Sequence, residues 1–193
     1  AGDIWDSFDI ASTVHPTGVG GGNNSIFYTL PSMVDDLAVT ASYTPTGSGT
    51  DSAMSYAATY SGVEGLSVSY GVGDDISVGN KGEGTAMKAS YAMGSFTVAY
   101  SDYSFDTTGT ASDDDTTSYK LSYTVSDDLS ITYGSETVER GTLKDGEYDS
   151  ISASYTSGGM TLSAYMKEAE NMDGTTTATQ DREVWGLGLS FAF

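Results

Sequence analysis

Glu183-Val184-Trp185-Gly186-Leu187-Gly188-Leu189-Ser190-Phe191-Ala192-Phe193 closes the chain, and its reading decides the fold. Every odd position from Trp185 to Phe193 is large and apolar, whereas Val184, Gly186, Gly188, Ser190 and Ala192 are modest or small. Side chains alternate between the two faces of a strand with a period of two. The stretch therefore predicts one strand with an apolar face and a small-residue face. Its length matches the roughly 9–11 residues that a tilted strand needs to cross a bilayer.

The same alternation runs back through the chain. It places Ile26, Tyr28 and Leu30 on one face of residues 25–30, and Leu37, Val39, Ala41 and Tyr43 on one face of 37–43. Residues 54–60, 66–72, 87–93, 96–100, 119–125, 129–133, 151–155 and 160–166 repeat it, so that eleven strands are expected with the closing one. The opposite face is small and mostly neutral: Thr40, Ser42, Ser55, Ser67, Ser122, Ser154 and Ser163. A soluble sandwich exposes a face rich in Lys, Glu and Thr; a small hydroxylated face suits a water-filled lumen, with the apolar face turned to lipid.

Connections alternate in length. Short ones fall at 31–36, 61–65, 94–95, 126–128 and 157–159, and long ones at 44–53, 73–85, 101–116, 135–147 and 167–182. Short turns at one rim and long loops at the other are the periplasmic and extracellular ends of a transmembrane barrel. On that orientation Tyr43, Tyr70, Tyr100, Tyr119, Tyr133 and Trp185 fall near the long-loop ends of their strands. Tyr60, Tyr91, Phe96, Tyr155 and Phe193 fall near the short-turn ends, and two aromatic belts flanking an aliphatic band mark the two membrane interfaces.

Composition narrows the function. The chain has 193 residues, enough for one domain, and no cysteine, which excludes a disulfide framework and thiol chemistry. Acidic residues number 27 against 7 basic ones, a net charge of -20 that argues against nucleic acid as a partner. No apolar run approaches the 18 or so residues of a membrane helix, as holds for barrels whose alternate residues face water. The first residues, Ala1-Gly2-Asp3, lack the basic start and apolar core of a signal peptide.

A closing strand of alternating aromatics that ends on Phe193 resembles the C-terminal signature of Gram-negative outer-membrane barrels. That resemblance implies an assembly signal in Trp185, Phe191 and Phe193. Asn24-Ser25-Ile26-Phe27-Tyr28-Thr29-Leu30-Pro31 further resembles the N-S-I-R-Y-D-S-P segment of the general diffusion porins. Those porins are trimeric barrels of sixteen strands, in which this segment follows a loop that folds inward and narrows the pore. The resemblance implies an all-β transmembrane antiparallel barrel, of which this chain is a C-terminal portion. Residues 1–24 would be the constriction loop and residues 25–193 the barrel strands. An odd strand count points the same way, because hairpin-linked strands close antiparallel only in even number. The implied setting is the Gram-negative outer membrane, with lipid and lipopolysaccharide around a homotrimer.

Candidate site residues follow from this frame. Asp3, Asp6 and Asp9 are the expected constriction acids, with a solvated acidic loop as the competing reading. Lys88, Lys120, Lys167 and Arg182 fall on the lumen face by parity, as site residues or as ordinary wall charges. Asp113-Asp114-Asp115, and also Asp74-Asp75, supply hard oxygen ligands suited to calcium, although a solvated acidic loop is the favoured reading. His15, the only histidine, has no nucleophile and orienter fixed beside it in sequence, so no enzyme is expected and no cofactor is required. The function expected is passive diffusion of small hydrophilic solutes and ions, with a structural or adhesive barrel as the alternative. The net charge, together with Phe27 and Thr29 at lumen positions where the porin motif has charged residues, predicts a preference for cations.

Overall fold

In the computed structural model, residues 25–31, 34–47, 51–74, 82–107, 114–172 and 181–192 are described. Eleven strands follow one another: β1 (Ile26–Thr29), β2 (Leu37–Thr44), β3 (Ala53–Tyr60), β4 (Leu66–Asp74), β5 (Gly82–Met93), β6 (Phe96–Thr107), β7 (Asp114–Ser126), β8 (Leu129–Arg140), β9 (Gly146–Ser157), β10 (Met160–Glu170) and β11 (Arg182–Phe191). They form one sheet in sequence order, each strand paired antiparallel with the next. Among the described residues the sheet runs open from β1 to β11.

The two faces are inverted relative to a soluble sheet. The outer face carries Tyr119, Leu121, Tyr123 and Val125 of β7 and Trp185, Leu187, Leu189 and Phe191 of β11, all exposed. The inner face carries the buried strand residues, among them Ser42, Ser55, Ser101, Thr116, Ser118 and Ser150. A polar face less accessible than an apolar one means that the sheet curls toward its polar side. A contiguous exposed apolar band of this extent belongs against lipid rather than water. The two faces are thus those of a barrel wall, as the period-two pattern predicts.

The short turns are joined into a rim. In each one a turn carbonyl accepts a backbone N–H from at or near the end of the neighbouring strand: Asp36 from Ser61, Gly65 from Ala92, Ser95 from Thr124, Asp128 from Thr156, and Gly159 from Ala192, all at 2.8–2.9 Å. Gly65 sits at φ +77°, and a Cβ there would stand 2.3 Å from the Ala92 carbonyl oxygen, so glycine is required for that close approach.

At the opposite rim the strands outrun the sequence expectation. Residues 101–116 were expected to be a loop, yet β6 continues to Thr107 and β7 begins at Asp114; β8 likewise reaches Arg140 and β9 starts at Gly146. The apolar alternation ends where the lipid ends, but the backbone ladder does not. Above the aromatic belt the outer positions become acidic, and two belt tyrosines donate hydroxyl hydrogen bonds to carboxylates there: Tyr100 to Asp102 at 3.2 Å and Tyr133 to Asp149 at 2.5 Å.

Candidate functional site

The inner face is the hydroxylated one. Its hydroxyls pair across strands: Ser25 with Thr44 at 2.7 Å, Ser42 with Ser55 at 2.6 Å, Thr59 with Ser69 at 2.9 Å, and Ser122 with Thr132 at 3.0 Å. Small paired hydroxyls leave this face wettable and low.

Register sorts the charges. One inner row reads Lys88, Ser101, Ser118, Glu136, Tyr148, Ala169 and Arg182 across β5 to β11. The adjacent row reads Ala99, Lys120, Gly134, Ser150, Lys167 and Val184. Two rows higher, Arg140 pairs with the Asp114 position. All the basic residues of the strands (Lys88, Lys120, Arg140, Lys167 and Arg182) therefore share the inner face. The strand carboxylates go the other way: Asp74, Glu83, Asp102, Asp106, Asp115, Glu139, Glu147, Asp149, Glu168, Glu170 and Glu183 take outer positions. Only Glu136 and the Asp114 position are acidic on the inner face.

Glu136 is buried, and Ser118, fully buried beside it, donates to its Oε2 at 3.0 Å. Among the described residues, two buried polar atoms on this face have no hydrogen-bond partner, the Ser101 hydroxyl and the Arg140 Nε. The Lys167 Nζ stands 5.3 Å from the centre of the Tyr165 ring, a cation–π contact along the wall. Near the upper rim Val138, Tyr148 and Ala169 pack with Met172, two residues past the end of β10, so the β10–β11 connection begins on the inner side.

The sequence candidates separate accordingly. Lys88, Lys120, Lys167 and Arg182 share the inner face, in two neighbouring rows. Trp185 and Phe191 are exposed on the outer face of β11, whose register with β10 runs from Ala169–Arg182 to Met160–Phe191. Asp3, Asp6, Asp9, His15, Asp75, Asp113 and Phe193 lie outside the described residues. Asp114 and Asp115 open β7 as successive strand positions, where the sequence pattern predicts a loop. Among the described residues no group of three or more His, Cys, Asp or Glu is placed to hold a metal.

Sequence reasoning missed Glu136, Arg140 and Met172 because it assigned the ends of these strands to loops. The signal was present on the inner side, where Ser130, Thr132, Gly134, Glu136 and Val138 keep the period of two. Most strand carboxylates contributing to the net charge take outer positions, so the inner face does not support a cation preference.

Comparison with known proteins adds to this geometry. A family model described as Gram-negative porin matches residues 1–143. The fold is similar to that of an anion-selective porin from Comamonas acidovorans, with a TM-score of 0.61 and 18% identity over 86% of this chain and 54% of that one. It is similar also to OmpT, an outer membrane protein of Vibrio cholerae, folded in vitro, with a TM-score of 0.59 and 16% identity over 86% of this chain and 63% of that one. A trimer form of OmpT matches with a TM-score of 0.56 and 18% identity over 87% of this chain and 60% of that one. The chain thus spans between about half and two thirds of the length of these structures. No curated protein matches the sequence.

Proposed function

Because the chain belongs to the Gram-negative porin family, a family of the outer membrane, we propose that it forms much of the wall of a water-filled channel for passive diffusion of small hydrophilic solutes and ions. The observation that carries this reading is the inversion of the faces, an exposed apolar exterior around a hydroxyl-lined, charged interior. No bond is made or broken in such a channel; selectivity comes from bore and field. In this reading residues 1–24, with Asp3, Asp6 and Asp9, narrow the bore, as the resemblance of the following segment to the porin motif suggests. The assembly is a homotrimer, a reading supported by the trimeric form of the similar OmpT. The outer carboxylates above the tyrosine belt, such as Asp149, Glu168 and Glu183, would face lipopolysaccharide phosphates, with calcium or another divalent ion between the two anionic layers.

Reconstitution of the full-length protein in planar bilayers tests the channel. Stepwise conductance increments and swelling of sugar-loaded liposomes are the expected result. Folded, inserted protein without conductance would instead favour the structural or adhesive barrel.

A further inference from the structure

Resting on the channel reading, we propose that the wall built by this chain is an anion track, along which Lys88, Lys120, Arg140, Lys167 and Arg182 attract small permeating anions such as phosphate and carboxylates. The chain as a whole carries a net charge of -20, yet the inner face of its strands holds five cations against two acidic positions. One of those two, Glu136, is buried and already accepts the Ser118 hydroxyl, so its charge is drawn into the wall.

Distance decides which charges a permeating ion feels. An ion in the bore passes within reach of a lysine on the wall. The outer carboxylates lie across the sheet, on the order of 10 Å further away. The Debye length is about 8 Å at physiological salt, so their field is largely screened at the bore. Low-dielectric walls focus the inner charges in the opposite sense, and rings of Lys and Arg are the usual lining of pores that pass anions and phosphate.

Two further observations fit the same ligand class. Both buried polar atoms left without a partner among the described residues are donors on this face, the Ser101 hydroxyl and the Arg140 Nε–H. Ser101 is the direct cross-strand neighbour of Lys88. Lys120 and Lys167 share a row with Ser150 between them, and the Tyr165 ring beneath Lys167 keeps that ammonium against the wall rather than across the bore.

The test is the reversal potential of the reconstituted full-length protein in a tenfold KCl gradient. The ratio of the native protein, to which Asp3, Asp6 and Asp9 at the constriction also contribute, is the reference. In Lys88→Gln/Lys120→Gln/Lys167→Gln the chloride-to-potassium ratio should fall severalfold, and millimolar inorganic phosphate should block chloride current less. The single variants Lys120→Gln and Lys167→Gln should each move the ratio the same way by less, which keeps the test open if the triple variant assembles poorly. Glu83→Gln/Asp106→Asn, a cross-strand pair on the outer face, should leave it unchanged. Conducting channels whose ratio is unmoved by the wall variants, or shifted as much by the outer ones, would overturn the anion track and leave the channel standing. Absence of conductance in every variant would overturn both.

Discussion

Tyr165 lies across Gly186, its direct partner on β11, so closely that a Cβ on that glycine would stand 2.4 Å from the ring's Cζ. Both residues belong to the inner face, and the glycine lets the ring rest on the wall. Gly186→Ala should leave folding nearly intact, because the displaced atoms are the far end of one side chain. The ring would swing into the bore and lose the contact with Lys167, worth about 0.5–1 kcal/mol at an exposed site. Single-channel conductance should fall, and Gly186→Ala/Tyr165→Ala should restore it. Unchanged conductance in Gly186→Ala would mean that the ring slides along the wall instead.

Arginine on the two faces should have opposite effects. Leu121→Arg or Leu162→Arg, on exposed outer positions, places a charge in hydrocarbon at a cost of about 2–4 kcal/mol near the midplane. Ser122→Arg and Ser163→Arg, one residue away on the inner face, should still insert. Heat-modifiable gel mobility of refolded protein reports insertion, and equal tolerance of both faces would refute the assignment of faces.

Glu168 is flanked directly by Asp149 on β9 and by Glu183 on β11. Like charges opposed across strands are destabilising, by roughly 0.2–1 kcal/mol per pair. Glu168→Gln should therefore raise the thermal midpoint at low salt. The gain should vanish near 1 M salt, where the Debye length is about 3 Å. A midpoint lowered at every salt concentration would show that the carboxylate has a favourable partner.

Met172, 1% exposed, completes the cluster with Val138, Tyr148 and Ala169. Met172→Ala should lower stability by about 2 kcal/mol, the low end for such truncations, because a wall patch can collapse more freely than a core. The urea midpoint of the detergent-folded protein measures it, and no change would mean that the cluster does not hold the start of the β10–β11 connection.

Much of this fold was legible because a barrel wall writes both faces into the chain. Leu121 and Ser122 belong to opposite faces whatever the remote context, so period two alone sorted them. Turn positions such as Gly65 and Gly158-Gly159 were legible for the same local reason. The wall lysines also followed from parity. What parity on the apolar side could not show was where strands end, since Asp102, Glu139 and Asp149 break the apolar pattern without breaking the ladder. Nor could composition reveal that charge is sorted by face. The contact of Tyr165 with Gly186 and the burial of Met172 depend on neighbours brought together only by register and curvature.

The prolonged ladders also determine how the protein meets the world outside the cell. Between β6 and β7 the sequence pattern marks residues 101–116 as a loop, but only 108–113 lie outside the two strands. A protease or antibody aimed at 102–106 would find backbone already committed to hydrogen bonds with its neighbours. An epitope tag inserted there would break rungs of the sheet; one placed between 108 and 113 would fall outside both strands. Surface display and domain grafting on this scaffold should therefore be planned from the ends of the ladders, not from the end of the greasy pattern.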